Sequence, residues 1–145
     1  MEDRFSLLAA VHLFLIRNDQ ILMLRRFNTG YEDGNYSVPS GHLNGNETAT
    51  QAMIREAAEE INIQIDPEDL TMIHVMHRLA AQGERIDFFF YCGKWEDEIK
   101  INEPDKCDDL TWYPIRILPS NTVEYVKSAI EHFIKKEPFS EHGWN

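Results

Sequence analysis

Apolar residues gather in short runs along this chain, and their spacing separates strands from helices. Phe5 to Ile16 is rich in strand-compatible apolar residues, and Asn18-Asp19 is a turn signal ahead of a second run, Ile21 to Phe27, so the two segments are expected to form a hairpin. Asn28 to Asn35 is a loop rich in Gly, Asn and Asp, followed by a short strand near Tyr36 to Val38 and a loop carrying Gly41. The next stretch changes period: Ile54, Ala57, Ala58 and Ile61 recur at helical spacing, which predicts a helix over about 48–61. Pro67 breaks the chain before a strand over Leu70 to Leu79. Gln82-Gly83 then turns it into Arg85 to Trp95, where Phe88-Phe89-Phe90-Tyr91 reads as buried core, and a second hairpin results. After a loop from Glu96 to Asp108 comes a short strand, Leu110 to Tyr113. Pro119-Ser120-Asn121 precedes an amphipathic helix over about 122–136, with Val123, Val126, Ala129, Ile130 and Phe133 on one face. The last residues, Trp144 included, show no readable role. Strands interrupted by one helix and closed by another predict an α/β or α+β fold, its sheet covered on more than one side.

Composition narrows the function classes. A chain of 145 residues is long enough for one domain with a proper core and too short for two of ordinary size, so one domain over 1–145 is expected. The hydrophobic fraction of 43% and well-mixed charges are those of a globular protein. The formal charge of −11 argues against a nucleic-acid polymer as partner, since a phosphate backbone needs a basic face; free nucleotides stay possible where metal ions screen their phosphates. Leu7 to Ile16 is interrupted by His12, lacks a basic leader and is too short to span a bilayer. No membrane association is expected. Cys92 and Cys107 have no CxxC spacing, so neither a disulfide framework nor a zinc site is indicated, and a cytoplasmic location is expected. Nothing in the sequence sets the oligomeric state.

The first helix carries candidate chemistry. At about 100° per residue, Glu56, Glu59 and Glu60 fall on one stripe, nearly opposite the apolar set, where oxygen ligands could hold a hard cation such as Mg2+ or Mn2+. On the carboxylates alone, a solvated helix face with Arg55 paired to Glu59 is the simpler reading. The lead-in reverses it. Gly41, five residues, Glu47, seven residues, Arg55-Glu56, two residues, Glu59-Glu60 and then Ile63 resembles the signature box of the Nudix hydrolases, with all six Gly, Glu and Arg positions from Gly41 to Glu60 at the right spacing. Ala57 stands where a larger aliphatic is usual, and Asn62 replaces the glycine that ends the helix; Asn is the next-best residue for a left-handed cap. Upstream, Ser40 stands where a second glycine is common.

The resemblance implies an α/β/α sandwich around a mixed central sheet, with the box forming a metal site. It implies a phosphoanhydride hydrolase acting on a nucleoside diphosphate linked to another group. Glu56, Glu59 and Glu60, with the Gly41 carbonyl, would hold Mg2+ or Mn2+; Glu59 or Glu56 would accept a proton from water, with Glu60 mainly a ligand. Glu47 and Arg55 would be the ion pair that orients loop and helix. Glu103-Pro104-Asp105-Lys106-Cys107, followed by Trp112, resembles a stretch in a subset of Nudix hydrolases acting on nucleoside triphosphates, which makes Glu103 a further candidate ligand or base. The alternative for it is an ordinary acidic loop.

Arg25-Arg26 and His77-Arg78 are candidates for phosphate contacts, with surface charge as the plainer alternative. His12, His42 and His74 read as structural or solvent-facing, and Tyr31, Tyr36 or Trp95 could stack on a nucleobase. The expected substrate is a small-molecule nucleotide, with (d)NTPs ahead of ADP-ribose-like, nucleotide-sugar or dinucleoside polyphosphate substrates. A catalytically idle nucleotide-binding domain is the runner-up; retention of Glu56, Glu59 and Glu60 speaks against it.

Overall fold

The computed structural model describes residues 3–145. In chain order the elements are β1 (Leu8–Arg17), β2 (Gln20–Arg26), β3 (Tyr36–Ser37), β4 (Ser40–His42), α1 (Ala49–Ile61), β5 (Thr71–Ala80), β6 (Gly83–Cys92), β7 (Cys107–Pro114), α2 (Glu124–Ile134) and β8 (Phe139–His142). A single 3-10 turn at Pro67–Asp69 leads into β5.

β1 is the spine of a mixed sheet. One edge pairs in parallel with β6 from Leu8↔Arg85 to Leu15↔Cys92. The other edge is shared: β4 takes Ala10 to His12, and β2 takes only Ile16 and Arg17. The expected first hairpin therefore closes for two residue pairs and then forks. Asn18 and Asp19 both adopt left-handed conformations (φ 53° and 61°), the tight turn that joins the strands. Beyond it, β2 leaves to pair with β7 along one edge and with β3 at Leu24↔Ser37 and Arg25↔Tyr36. Residues 36–42 thus bridge the fork, β3 bonded to one prong and β4 to the other, and the Leu13 N–H donates to the Pro39 carbonyl at 2.8 Å between them. The second hairpin, β5 with β6, forms as expected, with an irregular register between Met72 and His74.

A helix covers each face. Val11, Leu13 and Leu15 pack with Ala52, Met53, Ala57 and Ile61 of α1, whereas Phe14 packs with Val126, Ala129 and Ile130 of α2. Successive residues of β1 face opposite layers, and both layers are buried, which is why its sequence, His12 apart, reads as a near-continuous apolar run rather than an alternating one. In β6, Phe89 belongs to the α2 layer and Phe90 to the α1 layer, so this aromatic run is core.

Several boundaries differ from the sequence reading. Trp95 lies outside β6, and β7 starts at Cys107 rather than Leu110. Thr48 is the cap of α1, not its first residue: its hydroxyl accepts from the Gln51 N–H at 3.0 Å, while the Gln51 side chain accepts from the Thr48 N–H at 2.9 Å. Asn62 ends the helix in the left-handed region (φ 69°), as its substitution for glycine predicts. The C-terminal residues do have a place. β8 pairs in parallel with β5, and the Trp144 indole N–H donates to the His77 carbonyl at 3.1 Å. Four residues, three of them with polar side chains, carry too little pattern to announce a strand.

Candidate active site

The rotation of α1 about its axis departs from the sequence reading. Its buried residues are Ala52, Met53, Ala57 and Ile61, which span about half the circumference at about 100° per residue. Glu56 and Glu60 fall inside that arc, and Glu59 falls outside it. The three carboxylates therefore do not share one environment. Glu59 is 52% exposed, Glu56 is mostly covered, and Glu60 turns in toward the loop of β4, where its carboxylate accepts the Ser40 N–H at 2.9 Å. The apolar stripe first assigned to Ile54, Ala57, Ala58 and Ile61 is shifted because the helix seats by its Met53 side.

Arg55 organises the acids from the outside. Its Nη2 and Nε donate to the two Glu47 oxygens at 2.8 and 3.1 Å, and Nη2 also reaches the His42 carbonyl at 3.2 Å. This ties the β4–α1 loop to the helix. The other terminal nitrogen, Nη1, donates to Glu56 at 3.0 Å and lies 3.5 Å from Glu59. Among the described residues no group of three or more acidic, His or Cys side chains is arranged to hold a metal ion. Arg55 holds Glu56 and Glu59 by one guanidinium nitrogen, while Glu60 binds Ser40.

Electrostatics nonetheless mark the acids as a set. Burial pushes the Glu60 carboxyl up to about 8; the Ser40 N–H opposes this, and repulsion from Glu56 and Glu103 adds to it. Burial also raises Glu56, against the pull of Arg55. Glu47 is held below its ordinary value by the Arg55 hydrogen bonds. Gly41 completes the close packing: a methyl group there would collide with the Glu56 carboxyl, so the absence of a side chain is what lets Glu56 lie over the loop. Buried carboxylate oxygens suit a hard divalent cation, and the Cys107 sulfur on the same cavity is kept as a thiol by burial and donates to the Asp109 carbonyl.

A cavity of about 310 Å³ opens beside these acids, its walls including Arg26, Ser40, Gly41, Glu60, Glu103 and Lys106. Glu103 and Lys106 come from the Glu-Pro-Asp-Lys-Cys stretch, which folds as a turn in which the Lys106 and Cys107 N–H groups donate to the Glu103 carbonyl. The lining thus carries both carboxylates and cations, and Lys106 Nζ lies 3.9 Å from the Glu103 carboxylate. A larger groove of about 530 Å³ between residues 115–120 and α2 has one carboxylate, Glu131, among Arg116, Lys127 and Lys135, and so no cluster of acids.

The remaining candidates scatter. Arg25 donates to Asp108 at 2.7 Å and does not line the cavity; its neighbour Arg26 does, because adjacent residues of a strand face opposite ways. His77 bonds Glu84 at 3.0 Å, and Arg78 is buried against Asp87, so neither lines this cavity. Tyr36 is occupied by a hydrogen bond to Asp109, and Trp95 stacks with Trp112 and Arg17. Tyr31 alone of the three aromatics stands 41% exposed near the cavity, with its carbonyl accepting from Arg26 at 2.7 Å. His12 and His74 are buried in structural hydrogen bonds, to Asp87 and to Glu137 and Ser140. The sequence offers Arg26 as half of the Arg25-Arg26 pair, Ser40 only as a residue standing where glycine is common, and Lys106 only as part of the Glu-Pro-Asp-Lys-Cys stretch.

Comparison with known proteins identifies the family and the fold. The NUDIX domain family model matches residues 6–133. The chain is 27% identical over 137 residues to an RNA pyrophosphohydrolase of Pasteurella multocida, covering 79% of this chain and 66% of that protein. It is 28% identical over 100 residues to an 8-oxo-dGTP diphosphatase of Proteus vulgaris, covering 68% of this chain and 87% of the other. Among solved structures, the fold matches a MutT NUDIX hydrolase from Burkholderia pseudomallei with a TM-score of 0.80 at 22% identity, covering 88% of this chain and 98% of that one. A MutT protein from Methanosarcina mazei matches with a TM-score of 0.78 at 16% identity, covering 93% and 98%. No helix of the described residues is long and apolar enough to cross a membrane.

Proposed function

The chain belongs to the Nudix family of hydrolases, and from that premise we propose that it cleaves a phosphoanhydride bond of a nucleoside 5′-triphosphate with Mg2+ or Mn2+, as a single domain acting in the cytoplasm. The observation that carries this reading is the burial of Glu60 beside Glu56 and Glu103 on the wall of a cavity that also presents Arg26 and Lys106. Buried carboxylates that repel one another are costly unless a cation joins them.

Glu56, Glu59 and Glu60, with the Gly41 carbonyl and Glu103, are the groups that would hold the ion. When bound, it would supply charge neutralisation to the phosphates and a lowered pKa to water. Arg26 and Lys106 supply fixed positive charge for phosphate oxygens across the cavity. Glu56, half-buried over Gly41, is better placed than exposed Glu59 to accept the proton of the attacking water. Glu47 and Arg55 position the loop that carries Gly41, in the way that outer hydrogen bonds orient metal ligands. A net charge of −11 favours free nucleotides over the RNA polymer named for one relative.

The test is turnover of a panel of dNTPs, NTPs, ADP-ribose, dinucleoside polyphosphates and 5′-triphosphorylated RNA with Mg2+, read as released pyrophosphate or phosphate. Triphosphates are expected to be hydrolysed fastest, and chelator is expected to abolish it. Nucleotide binding without turnover of any member would instead identify an idle, regulatory domain.

A further inference from the structure

A second cavity, of about 300 Å³, lies on the other side of residues 27–35, lined by Tyr31, Arg78, Gln82, Glu124, Tyr125 and His142 among others. The two cavities share this loop as a wall: Thr29 lines the first, next to Arg26 at the end of β2, and Tyr31 and Glu32 line the second. Arg26 stands between the cavities: it lines the first, its Nε donates to the Tyr31 carbonyl at 2.7 Å, and its guanidinium carbon lies 5.3 Å from the centre of the Tyr31 ring, which lines the second. A ligand held by its phosphates in the first cavity can therefore extend past Arg26 into the second.

The floor of the second cavity has unused donors. Arg78 is 4% exposed, and its guanidinium carbon lies 3.6 Å from the ring centre of Tyr125. Its Nε donates to Asp87 at 2.7 Å and its Nη2 more weakly at 3.4 Å, whereas Nη1 has no acceptor among the described residues. Asp87, bonded also by His12 at 2.9 Å, fixes the guanidinium plane without using up its fork. A guanidinium N–H that no protein acceptor takes is free to donate to a ligand in the cavity, and a guanidinium fork is suited to two adjacent acceptors. The exposed ring of Tyr31 stands at the rim. The combination fits a flat ligand with two acceptors on one edge. A 6-oxopurine presents O6 and N7 in that way, whereas adenine places an N6 donor beside N7, and pyrimidines have no N7.

We propose that the second cavity takes the base of the nucleotide whose phosphates occupy the first, and that Arg78 selects 6-oxopurines over adenine. This rests on the hydrolase reading of the first cavity.

The decisive measurement varies the substrate and leaves the protein intact: steady-state kinetics with dGTP, dITP, 7-deaza-dGTP and dATP in Mg2+. dGTP and dITP, which share O6 and N7, are expected to agree in kcat/KM within about threefold, and dATP is expected to fall at least about tenfold below them, chiefly through KM. The 7-deaza analogue, lacking one acceptor, should lie between. Arg78→Lys keeps the charge opposite Asp87 and loses the fork, so the preference for dGTP over dATP should shrink to within about threefold; a urea midpoint establishes that it folds. Equal kcat/KM for dGTP and dATP in the unaltered protein would overturn the proposal, as would an unchanged preference in folded Arg78→Lys. If Arg78→Lys does not fold, the analogue series still decides. If no nucleotide is hydrolysed, the hydrolase reading falls, and equilibrium binding of dGTP against dATP then judges the base site by itself.

Discussion

Gly41→Ala tests whether the position of Glu56, rather than its mere presence, matters for hydrolysis. A methyl group on Gly41 would fall 2.6 Å from Cγ of Glu56 and closer still to its carboxyl group. Carbon atoms in ordinary contact sit about 3.5–4.0 Å apart, so the side chain must retreat by roughly 1 Å. A misplacement of about 1 Å at a reacting centre costs on the order of a hundredfold in rate, or about 2.7 kcal/mol of barrier. The fold has little to lose. Gly41 does not occupy the left-handed region, so alanine brings no backbone strain, and Arg55 keeps its bidentate pair with Glu47 when Glu56 moves. Loss of the partly exposed Arg55–Glu56 pair amounts to no more than about 1 kcal/mol. The expected result is kcat lowered about a hundredfold with a urea midpoint close to that of the unaltered protein. A kcat within about threefold of the original in a folded Gly41→Ala protein would refute the role given to Glu56 over this loop.

Glu60→Gln is expected to lower kcat at least about a hundredfold by removing buried charge from the acid set. It should also change the pH dependence of stability: the Glu60 carboxyl is raised from 4.5 to about 8, so the folded state is favoured below 4.5 and loses that advantage as pH climbs through about 8. Urea midpoints in chelator should fall over this range in the unaltered protein, and a fall of the same size in Glu60→Gln would contradict the assignment. Asp87→Asn leaves the Arg78 charge buried without its partner and is expected to cost about 3–5 kcal/mol in urea unfolding; a loss below about 1 kcal/mol would mean that the pair is dispensable. Burial opposes the Asp87 charge, but His12 and Arg78 outweigh it and hold the carboxyl down at about 2, against 3.8 when free. The stabilisation, about 2 kcal/mol, is present above 3.8 and is lost as pH falls through about 2, so this acid limb should be missing from the Asp87→Asn profile.

What the sequence carried was local. The box from Gly41 to Ile63 lies on one loop and one helix, so its spacing alone joins Glu47 to Arg55 and forecasts the left-handed cap at Asn62. The two cores were legible for the same reason, because continuous apolar runs over β1 and β6 mark strands buried on both faces. What stayed hidden depends on partners distant along the chain. Helical spacing placed three glutamates on one stripe, but the tilt of α1 against β1 decided that Glu60 turns inward and Glu59 stays in solvent. The register of β2 against β3 and β7 decided between Arg25 and Arg26. Arg78 looked like a surface charge until β6 brought Asp87 beside it, and β8 became a strand only by lying along β5.

The fork between β1 and β2 separates the parts of this protein that evolution can alter from those it cannot. Residues 36–42 are stitched to both prongs, so any change in their length would pull Gly41 and Ser40 away from α1 and unmake the proposed hydrolytic centre with the fold. Residues 27–35 leave the sheet after β2 and return at β3, bearing on both cavities while carrying none of the acids. Insertions or exchanges there can retarget the enzyme to another nucleotide while the chemistry is inherited unchanged, a division of labour expected where loops vary on a fixed scaffold.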